Sequence, residues 1–550
     1  MTDAGFCDGQ FLLEQGDVGF SRQVERLILQ FGFTDAINVD GPGDKGADLV
    51  AKYRRGYWVL QIKWKKRRNV GKDAVEEVFR AMQQYGIHRG VVVTNQGFTR
   101  DAEQRAAEYR SVGVNLDLWT GNDLRRVYHR APELREPFRL HRYQQRAVDA
   151  ARDALDEDNR ALIYLATGLG KTVVAGRLLA RFLRDKPQAQ VLVVAHTQPL
   201  VEQLERSMWR DIPKNIKTRL LNGVAKPDDL DGVTFAVLPT AASYVENGYR
   251  PDLVIVDEAH HVGQDGHYAR MLALLPDTPR VGVTATPWRG DTYDIEQIFG
   301  PPCVRVSISE GMRLGYLADV DYSLYADNID WDFVQHASEK GYSIKDLNRR
   351  LFIPERDEAI RDNLLTTWQE TVNPRAIVFC QTIQHAERMA ALLRAVPGWG
   401  NAQAIHADLA KRDVLSRLLG FRTGDIPILT TVDLLNEGVD VPDVNILCFA
   451  RVTHSRRIFV QQLGRGLRLR EGKTKVTVLD FVNDVRRLAE VHSLAQQVNE
   501  TDIEEVNVGR NQFLFRDERV TGLIDQWIAD VGDLGGADDS VRLEFPPTEG

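Results

Sequence analysis

Residues 161–183 read ALIYLATGLGKTVVAGRLLARFL and decide the architecture of much of the chain. An apolar run, ALIYL, ends in a glycine-containing turn, and a helical pattern follows at once. Such a turn points backbone N–H groups into one cavity, and the helix N-terminus adds partial positive charge. The stretch therefore predicts a phosphate-binding loop made of Thr167, Gly168, Leu169 and Gly170.

The two residues after this loop carry the predicted chemistry. Lys171 would reach the β- and γ-phosphates of a nucleotide, and Thr172 would bind Mg²⁺. The general pattern has a glycine five residues before Gly170, where this chain has Leu165, so the match is partial. A glycine-rich turn of this kind can also be purely structural, and this stretch alone leaves that alternative open.

A second apolar strand pattern, LVIVDEAHH at residues 253–261, ends in two carboxylates. An aspartate at the carboxyl edge of a parallel strand can hold Mg²⁺, and the next acid can activate water. These roles fall to Asp257 and Glu258. The alternative is a strand that ends in a solvated acidic turn, but the lysine loop upstream favours a nucleotide site.

Apolar runs alternate with helical patterns from about residue 136 onward. Continuous apolar strands separated by helices predict parallel sheets covered on both faces. The runs form two series, which predicts two α/β domains in tandem, at 138–317 and 318–490. Residues 331–370 predict a helical insertion in the second domain, and 491–550 predict a C-terminal helical extension with an acidic tail.

Two arginines lie three residues apart in QQLGRGLR, at residues 461–468 of the second predicted domain. A γ-phosphate held between two domains needs cations from the far side, as an arginine finger supplies. Arg465 and Arg468 are therefore candidate nucleotide-binding residues. A basic solvated helix is the alternative.

ATGLGKT, DEAH, VTATP (283–287) and QQLGRGLR, in this order, resemble the motor of superfamily 2 helicases and translocases. The resemblance covers about residues 136–490 and implies two RecA-like domains with ATP bound between them. It also implies that Gln144, in LHRYQ, reads the adenine, and that Gly438 and Asp440 lie near the ribose and phosphates. SEGMRLGYLADVDY and RGLRLREGK are most similar to the motors of restriction enzymes and related bacterial repair helicases.

Residues 46–66, GADLVAKYRRGYWVLQIKWKK, predict a β-hairpin near the N-terminus. Period-2 geometry puts Gln61 and Lys63 on one face of the second strand. An oxygen of Gln61 and the carboxylate of Asp48 could then hold the divalent cation that phosphodiester cleavage needs, beside the Lys63 ammonium. The alternative is a hairpin with surface charges, because glutamine is a neutral and weaker ligand than a carboxylate.

The surrounding patterns predict a compact α/β unit at residues 1–128 and a linker at 129–137. GAD, QIKWKK, GKDAVEEVFRAMQQYG and VVVTNQGFTRDAEQRA resemble the Mrr-like branch of the PD-(D/E)xK nucleases, which often carries glutamine at the position of Gln61. The resemblance implies that Asp48 and Gln61 bind the metal and that Lys63 orients or deprotonates water. It also places the acidic Glu25 near the metal.

Composition sets the remaining expectations. The chain has 550 residues, of which 43% are hydrophobic and 27% charged, as in a soluble protein of several domains. A net charge of −8 argues weakly against a protein that coats nucleic acid. Nine Lys or Arg residues between positions 52 and 72, interleaved with aromatic residues, nevertheless predict a local contact with a DNA backbone, although such a charge run can also be a solvated face.

Four scattered cysteines and the lack of a signal pattern predict a reduced, cytoplasmic protein, and the resemblance to restriction-enzyme motors implies a bacterial cell. Apolar runs stay shorter than the ~18 residues needed to cross a bilayer, so no membrane partner is expected.

Together, these features predict an α/β protein with a restriction-endonuclease-like domain, two RecA-like parallel-sheet domains and a small C-terminal extension. The predicted activity is an ATP-dependent DNA translocase or helicase coupled to a Mg²⁺-dependent endonuclease, with Mn²⁺ as a second candidate at the nuclease site. Duplex or single-stranded DNA is the expected partner, beside defence-system or repair proteins. Two alternatives stay open: an N-terminal domain that binds DNA without cutting it, and a motor that acts on RNA.

Overall fold

Three sheets organise the protein: a mixed sheet near the N-terminus and two parallel sheets that follow it. The computed structural model describes residues 5–38, 47–134, 139–223, 230–262, 266–285, 294–325, 342–343, 357–432, 444–450, 467, 475–481, 512–515 and 542–543.

The N-terminal unit is a five-stranded sheet in the order β1-β2-β3-β4-β5, antiparallel from β1 to β3 and parallel from β3 to β5. Its strands are β1 Thr34–Asn38, β2 Leu49–Tyr53, β3 Gly56–Lys63, β4 Arg89–Thr94 and β5 Asn115–Trp119. Its helices are α1 Gly9–Glu14, α2 Gly16–Phe31, α3 Lys72–Gln84, α4 Arg100–Ser111 and α5 Gly121–Arg130.

The two faces of this sheet carry separate apolar cores, because side chains alternate along each strand. Leu60 and Ile62 of β3 pack with Leu27 of α2 on one face. Val59 of the same strand packs with Val75 of α3 on the other. The predicted hairpin is confirmed, and helix α3 covers the face on which Gln61 and Lys63 are expected.

The first parallel sheet has seven strands in the order β12-β6-β11-β10-β7-β9-β8. Its strands are β6 Arg160–Leu165, β7 Val191–Ala195, β8 Thr218–Leu221, β9 Val233–Val237, β10 Leu253–Asp257, β11 Arg280–Thr284 and β12 Pro302–Val306. The helices around it are α6 Arg142–Asp158, α7 Lys171–Asp185, α8 Gln198–Met208, α9 Leu238–Glu246, α10 His267–Ala273, α11 Glu296–Phe299 and α12 Ile308–Arg313. Strands β7 and β10 are buried along their whole length and β6 is buried after its first residue, as continuous apolar runs predict.

The second parallel sheet also has seven strands, in the order β16-β17-β15-β18-β19-β13-β20. Its strands are β13 Asp319–Tyr325, β15 Ala376–Phe379, β16 Gln403–Ile405, β17 Ile428–Thr431, β18 Ile446–Ala450, β19 Lys475–Phe481 and β20 Gln512–Phe515. Helices α13 Asp357–Glu370, α14 Ile383–Arg394 and α15 Lys411–Thr423 accompany it, and a short ribbon pairs β14 Tyr342–Ser343 with β21 Arg542–Leu543. Strand β20 comes from the segment expected to be a helical extension, and it lies at the edge of this sheet beside β13.

Buried ion pairs join the N-terminal unit to the first parallel-sheet unit. Arg22 of α2 pairs with Glu205 of α8, and both side chains are buried. One turn along α2, the carboxylate of Glu25 lies 2.9 Å from Nε of Arg206. The two units are thus joined by one ion pair that is buried on both sides and by a second in which Arg206 is partly exposed.

Residues 129–134, the described part of the predicted linker, contact both units. Helix α5 extends to Arg130, so the first residues assigned to the linker are helical. Gln30 donates hydrogen bonds to the carbonyls of Pro132 and Glu133, at 2.9 and 3.1 Å. Lys214 donates to the carbonyl of Ala131 at 2.8 Å. The described part of the connection is therefore packed between the two units.

Within the described residues, no helix is long and apolar enough to cross a membrane.

Candidate nucleotide and nuclease sites

The predicted phosphate loop lies between β6 and α7, at the carboxyl edge of the first parallel sheet. Gly168 and Gly170 have φ of 92° and 80°, a left-handed conformation that side-chain-bearing residues rarely adopt. A Cβ on Gly170 would lie 2.7 Å from Nε2 of Gln144, so the site also lacks space for one. Glycine at these positions lets the chain turn tightly enough to aim its N–H groups at one point.

One residue of the loop is held by two side chains of α6, and another has a hydroxyl without a hydrogen-bond partner among the described residues. Tyr143 and Gln144 donate hydrogen bonds to the carbonyl of Leu169, at 2.6 and 3.0 Å. Oγ1 of Thr167 is buried and has no hydrogen-bond partner in the part of the chain that the structure describes. An orphaned buried hydroxyl is costly unless a ligand satisfies it, so the loop fits a bound phosphate.

Gln144 lies directly against the loop, where the resemblance to helicases places it. Its Oε1 accepts the backbone N–H of His141, at 3.0 Å, which closes the first turn of α6. The glutamine thus links the start of this helix to the phosphate loop. Its reading of adenine stays a prediction.

Lys171 and Glu258 meet in this site. Lys171 begins α7, and its Nζ lies 2.7 Å from Oε1 of Glu258, which follows the last residue of β10. A lysine that reaches across a phosphate cavity to a carboxylate is in position to exchange that partner for a phosphate oxygen. Thr172 follows Lys171 at the helix start, on the same side of the sheet edge.

The two acids of the DEAH sequence have opposite electrostatic environments. Burial, together with the charge of Glu258, raises the pKa of Asp257 above its ordinary value. Burial opposes ionisation of Glu258 too, but the charge of Lys171 and the hydrogen bond from His260 outweigh it and lower the pKa of Glu258. The pair therefore keeps an ionised carboxylate next to the lysine, while Asp257 gains most from a cation that would offset its burial.

His260 is a site residue that the sequence analysis did not single out. Its Nδ1 lies 2.8 Å from Oγ1 of Thr284 and 3.3 Å from Glu258. Thr284 ends β11 and belongs to the VTATP segment. The imidazole therefore connects the acid that would activate water to a second motif of the motor.

Four predicted nucleotide-binding residues of the second parallel-sheet unit lie outside the described residues. They are Gly438, Asp440, Arg465 and Arg468. Their roles stay predictions.

The nuclease residues lie where the β2–β3 hairpin meets α3. Leu49 pairs with Leu60 and Val50 with Val59, so extending the register by one residue sets Asp48 opposite Gln61. The N–H of Asp48 donates to the carbonyl of Leu60 at 2.9 Å. The register therefore sets Asp48 beside Gln61, the neighbour with which it was expected to converge on a metal ion.

Asp48 and Gln61 differ in how their oxygens are used. The Asp48 carboxylate accepts the backbone N–H of Ile62, which fixes it at the β3 backbone between the side chains of Gln61 and Lys63. Gln61 is 1% exposed, and its Oε1 has no hydrogen-bond partner among the described residues. A buried amide oxygen without a hydrogen-bond partner is costly, and amide oxygens are ligands of hard cations, so the Gln61 oxygen suits a bound cation.

A carboxylate that the sequence analysis missed completes this face. Glu77 of α3 lies with its Oε2 2.9 Å from Nζ of Lys63. The neighbouring Glu76 points to Arg105 of α4 instead, at 3.4 Å. In the sequence the two glutamates are indistinguishable, and only the packing of α3 on β3 separates them.

Glu25, which the resemblance places near the metal, contacts the neighbouring unit. Its carboxylate pairs with Arg206 at the boundary to the first parallel-sheet unit. Helix α2, which carries it, packs on the face of β3 opposite to α3. These contacts do not support the expected role near a metal, which stays a prediction.

The basic segment after β3 is held as an exposed loop. Asn95, just after β4, accepts the N–H of Lys65 at 2.8 Å and donates to its carbonyl at 2.9 Å. These bonds fix the backbone and leave the side chains from Lys65 to Arg68 exposed to solvent. The result is a positive rim beside Lys63.

Among the described residues, no group of three or more His, Cys, Asp or Glu side chains is arranged to hold a metal ion. The residues on the α3 face of the hairpin nevertheless fit a divalent cation, because Asp48 offers a fixed carboxylate and Gln61 an unused oxygen.

Three family descriptions match successive parts of the chain. "Restriction endonuclease", of the Mrr catalytic type, matches residues 14–128. "Type III restriction enzyme, res subunit" matches 137–289, and "Helicase conserved C-terminal domain" matches 355–470. The chain therefore carries an Mrr-type endonuclease domain followed by the two domains of a helicase motor.

The similar proteins include examples from a bacterium and an archaeon. The type I restriction enzyme EcoAI endonuclease subunit of Escherichia coli is 27% identical over 383 residues, which cover 62% of this chain and 45% of that protein. The DNA 3'-5' translocase XPB2 of Sulfurisphaera tokodaii is 26% identical over 378 residues, which cover 62% of this chain and 81% of that protein. The chain thus spans less than half the length of the E. coli relative.

Among solved structures, the ATP-dependent type ISP restriction-modification enzyme LlaBIII bound to DNA matches 96% of this chain and 42% of its own. The TM-score is 0.51 and the sequence identity 17%, so the match supports the fold alone. It extends over a nuclease-like domain and tandem RecA-like domains, in agreement with the fold class predicted from the sequence.

Proposed function

We propose that this protein is an ATP-dependent DNA translocase or helicase coupled to a Mg²⁺-dependent DNA endonuclease. The observation that carries the proposal is the convergence of Asp48, Gln61 and Lys63 on one face of the hairpin, in a chain that also holds a formed phosphate loop. Each arrangement suits one half of the activity.

The motor half rests on the geometry around Lys171. Bound ATP would place its phosphates at the loop, and a phosphate oxygen would replace Glu258 as the partner of Lys171. The Glu258 carboxylate would then be available to orient water. Thr172 and Asp257 are the residues that would hold the Mg²⁺ that accompanies ATP. Closure of the two RecA-like domains on ATP and their release after hydrolysis would move the protein along the nucleic-acid backbone, by contacts that are mainly to phosphates.

The nuclease half rests on three side chains with distinct tasks. Asp48 and Gln61 would hold the divalent cation, and Lys63 would orient or deprotonate the attacking water. A bound Mg²⁺ would neutralise phosphate charge and make hydroxide available near neutral pH. We infer Mg²⁺ as the physiological ion and Mn²⁺ as a substitute, since oxygen ligands suit both.

Restriction of foreign DNA is the role we propose first, with processing of damaged DNA second. The named relatives include a restriction endonuclease subunit and a DNA translocase, and the basic rim beside Lys63 suits a DNA backbone. Such work belongs in the bacterial cytoplasm. Defence-system or repair proteins are the partners we would look for.

The experiment uses the purified chain with circular and linear DNA, Mg²⁺, and either ATP or a non-hydrolysable analogue. We expect cleavage that requires Mg²⁺, and ATP hydrolysis that DNA stimulates. Cleavage with ATP but not with the analogue would show that translocation drives the cut.

Binding without cleavage in Mg²⁺ and in Mn²⁺ would replace the proposal by a DNA-recruiting N-terminal domain. Stronger stimulation of ATP hydrolysis by RNA than by either form of DNA would replace it by an RNA motor.

A further inference from the structure

We propose that Glu77 supplies the second carboxylate of the nuclease metal site, from helix α3 rather than from strand β3. The proposal rests on the nuclease function proposed above and adds a ligand to it. It answers a problem that the sequence raises, namely that Gln61 occupies a position where a carboxylate would bind a cation more strongly.

Charge is the first argument. Without Glu77, the three converging side chains are one carboxylate, one neutral amide and one ammonium, so their formal charges cancel. Affinity for hard divalent cations depends strongly on the number of charged ligands. A neutral site would hold such a cation weakly, and the Glu77 carboxylate makes the site net negative.

Placement is the second argument. Glu77 reaches the α3 face of the hairpin, because its Oε2 lies 2.9 Å from Nζ of Lys63. Asp48 and Gln61 lie on this face by register. Directly opposed residues of neighbouring strands have Cβ atoms about 5 Å apart, so Asp48 and Gln61 can reach one small ion, and the contact with Lys63 brings Glu77 to the same face.

An unsatisfied atom is the third argument and is independent of the other two. Gln61 is almost completely buried, yet its Oε1 has no partner among the described residues. Burial of an unpartnered amide oxygen costs about 1–3 kcal/mol. A cation held between this oxygen and the carboxylates of Asp48 and Glu77 would recover that cost.

The ion pair between Glu77 and Lys63 would then have a role before the metal binds. In the protein without metal, the Lys63 ammonium forms an ion pair with the Glu77 carboxylate. A cation that binds Glu77 would release the lysine toward the water that it orients. The same carboxylate thereby holds the lysine in position before the metal arrives and binds the metal afterwards.

The test measures Mn²⁺ binding to the full chain by calorimetry, without DNA or nucleotide. Glu77→Gln keeps the size of the side chain and removes its charge. Glu76→Gln on the same helix is the matched control, since Glu76 contacts Arg105 instead. We expect Glu77→Gln to weaken Mn²⁺ binding by about tenfold or more, and Glu76→Gln to leave it unchanged.

A second variant separates a ligand from a residue that only positions Lys63. Gln61→Glu returns a carboxylate to strand β3, so in the Glu77→Gln background it should restore Mn²⁺ affinity to within about threefold. The metal concentration for half-maximal DNA cleavage should follow the same order.

Unchanged Mn²⁺ affinity in Glu77→Gln, with or without slower cleavage, would overturn the proposal and leave the nuclease function standing. A wild-type chain that neither binds Mn²⁺ nor cuts DNA would reject the nuclease function itself. The two failures are therefore distinct.

Discussion

Two lysine–carboxylate pairs of similar length lie in the two halves of the molecule, in different surroundings. Lys171 and Glu258 are 2.7 Å apart, with side chains 13% and 14% exposed. Lys63 and Glu77 are 2.9 Å apart, and each is 31% exposed. In the first pair the lysine starts a helix behind a glycine loop, whereas in the second it is the last residue of β3, the central strand of its sheet.

The difference teaches how each site would take its ligand. The motor pair spans a cavity lined by backbone N–H groups, so a polyphosphate can enter only by replacing the carboxylate as the partner of the lysine. The nuclease pair is more open and stands next to a positive loop, so a nucleic-acid backbone can approach from solvent. Variants that alter either the nuclease unit or the motor unit test this difference.

The largest expected effect is on DNA cleavage in Lys63→Ala. Loss of the group that orients or deprotonates water should slow cleavage by about 10²–10⁴-fold while ATP hydrolysis survives. Plasmid nicking under single-turnover conditions measures it. Arg80→Ala, an exposed cation on the same domain, should cut as the wild type does. Equal slowing in both variants would point to a general loss of DNA binding.

Lys171→Ala should reduce DNA-stimulated ATP hydrolysis by about 10²–10³-fold, because one preorganised charge on the phosphates is lost. Phosphate release measured with and without DNA provides the rate. Lys186→Ala, at the other end of α7, is the control and should hydrolyse ATP normally. Substantial turnover in Lys171→Ala would remove this lysine from the site.

Glu205→Ala should destabilise the junction between the two halves by about 3–5 kcal/mol, because it leaves the buried Arg22 without its partner. Burial already lowers the pKa of Arg22 to about 10, which shows how poorly the surroundings solvate its charge. Arg126→Ala removes an exposed cation paired with Asp123 and should cost about 1 kcal/mol or less. Urea unfolding compares the two, and similar losses would mean that the interface pair is not buried in solution.

The smallest expected effect concerns the basic loop. Lys65→Ala and Lys66→Ala should each reduce the slope of log affinity against log salt by about 1, because each lysine would contact one phosphate. Fluorescence anisotropy with duplex DNA at several salt concentrations measures the slope. An unchanged slope in both variants would return this loop to an ordinary solvated surface.

Local patterns predicted much of the fold and the nucleotide loop, because a strand, a glycine turn and a helix are adjacent in the chain. The hairpin was predictable for the same reason, and period 2 set Gln61 and Lys63 on one face. The position of Glu77 beside Lys63 was not predictable, since the sequence does not distinguish Glu76 from Glu77 and only the packing of α3 on β3 does. His260 was missed likewise, because its partner Thr284 comes from another strand.

Two other differences have long-range causes. The linker was predicted to begin at residue 129, yet α5 extends to Arg130, and its Leu124 and Tyr128 pack in the N-terminal core. Glu25 matches an acidic position of a nuclease family, but its carboxylate faces Arg206, which lies far along the chain. Contacts between separate domains leave little trace in a single sequence.

The central claim is that one chain holds two separable active sites, and a crossed assay tests it most directly. Wild type, Lys63→Ala and Lys171→Ala are incubated with plasmid DNA, Mg²⁺ and ATP, and cleavage and phosphate release are measured in the same reaction. We expect Lys63→Ala to hydrolyse ATP without cutting and Lys171→Ala to lose hydrolysis. Cleavage at the wild-type rate by Lys63→Ala would contradict the account.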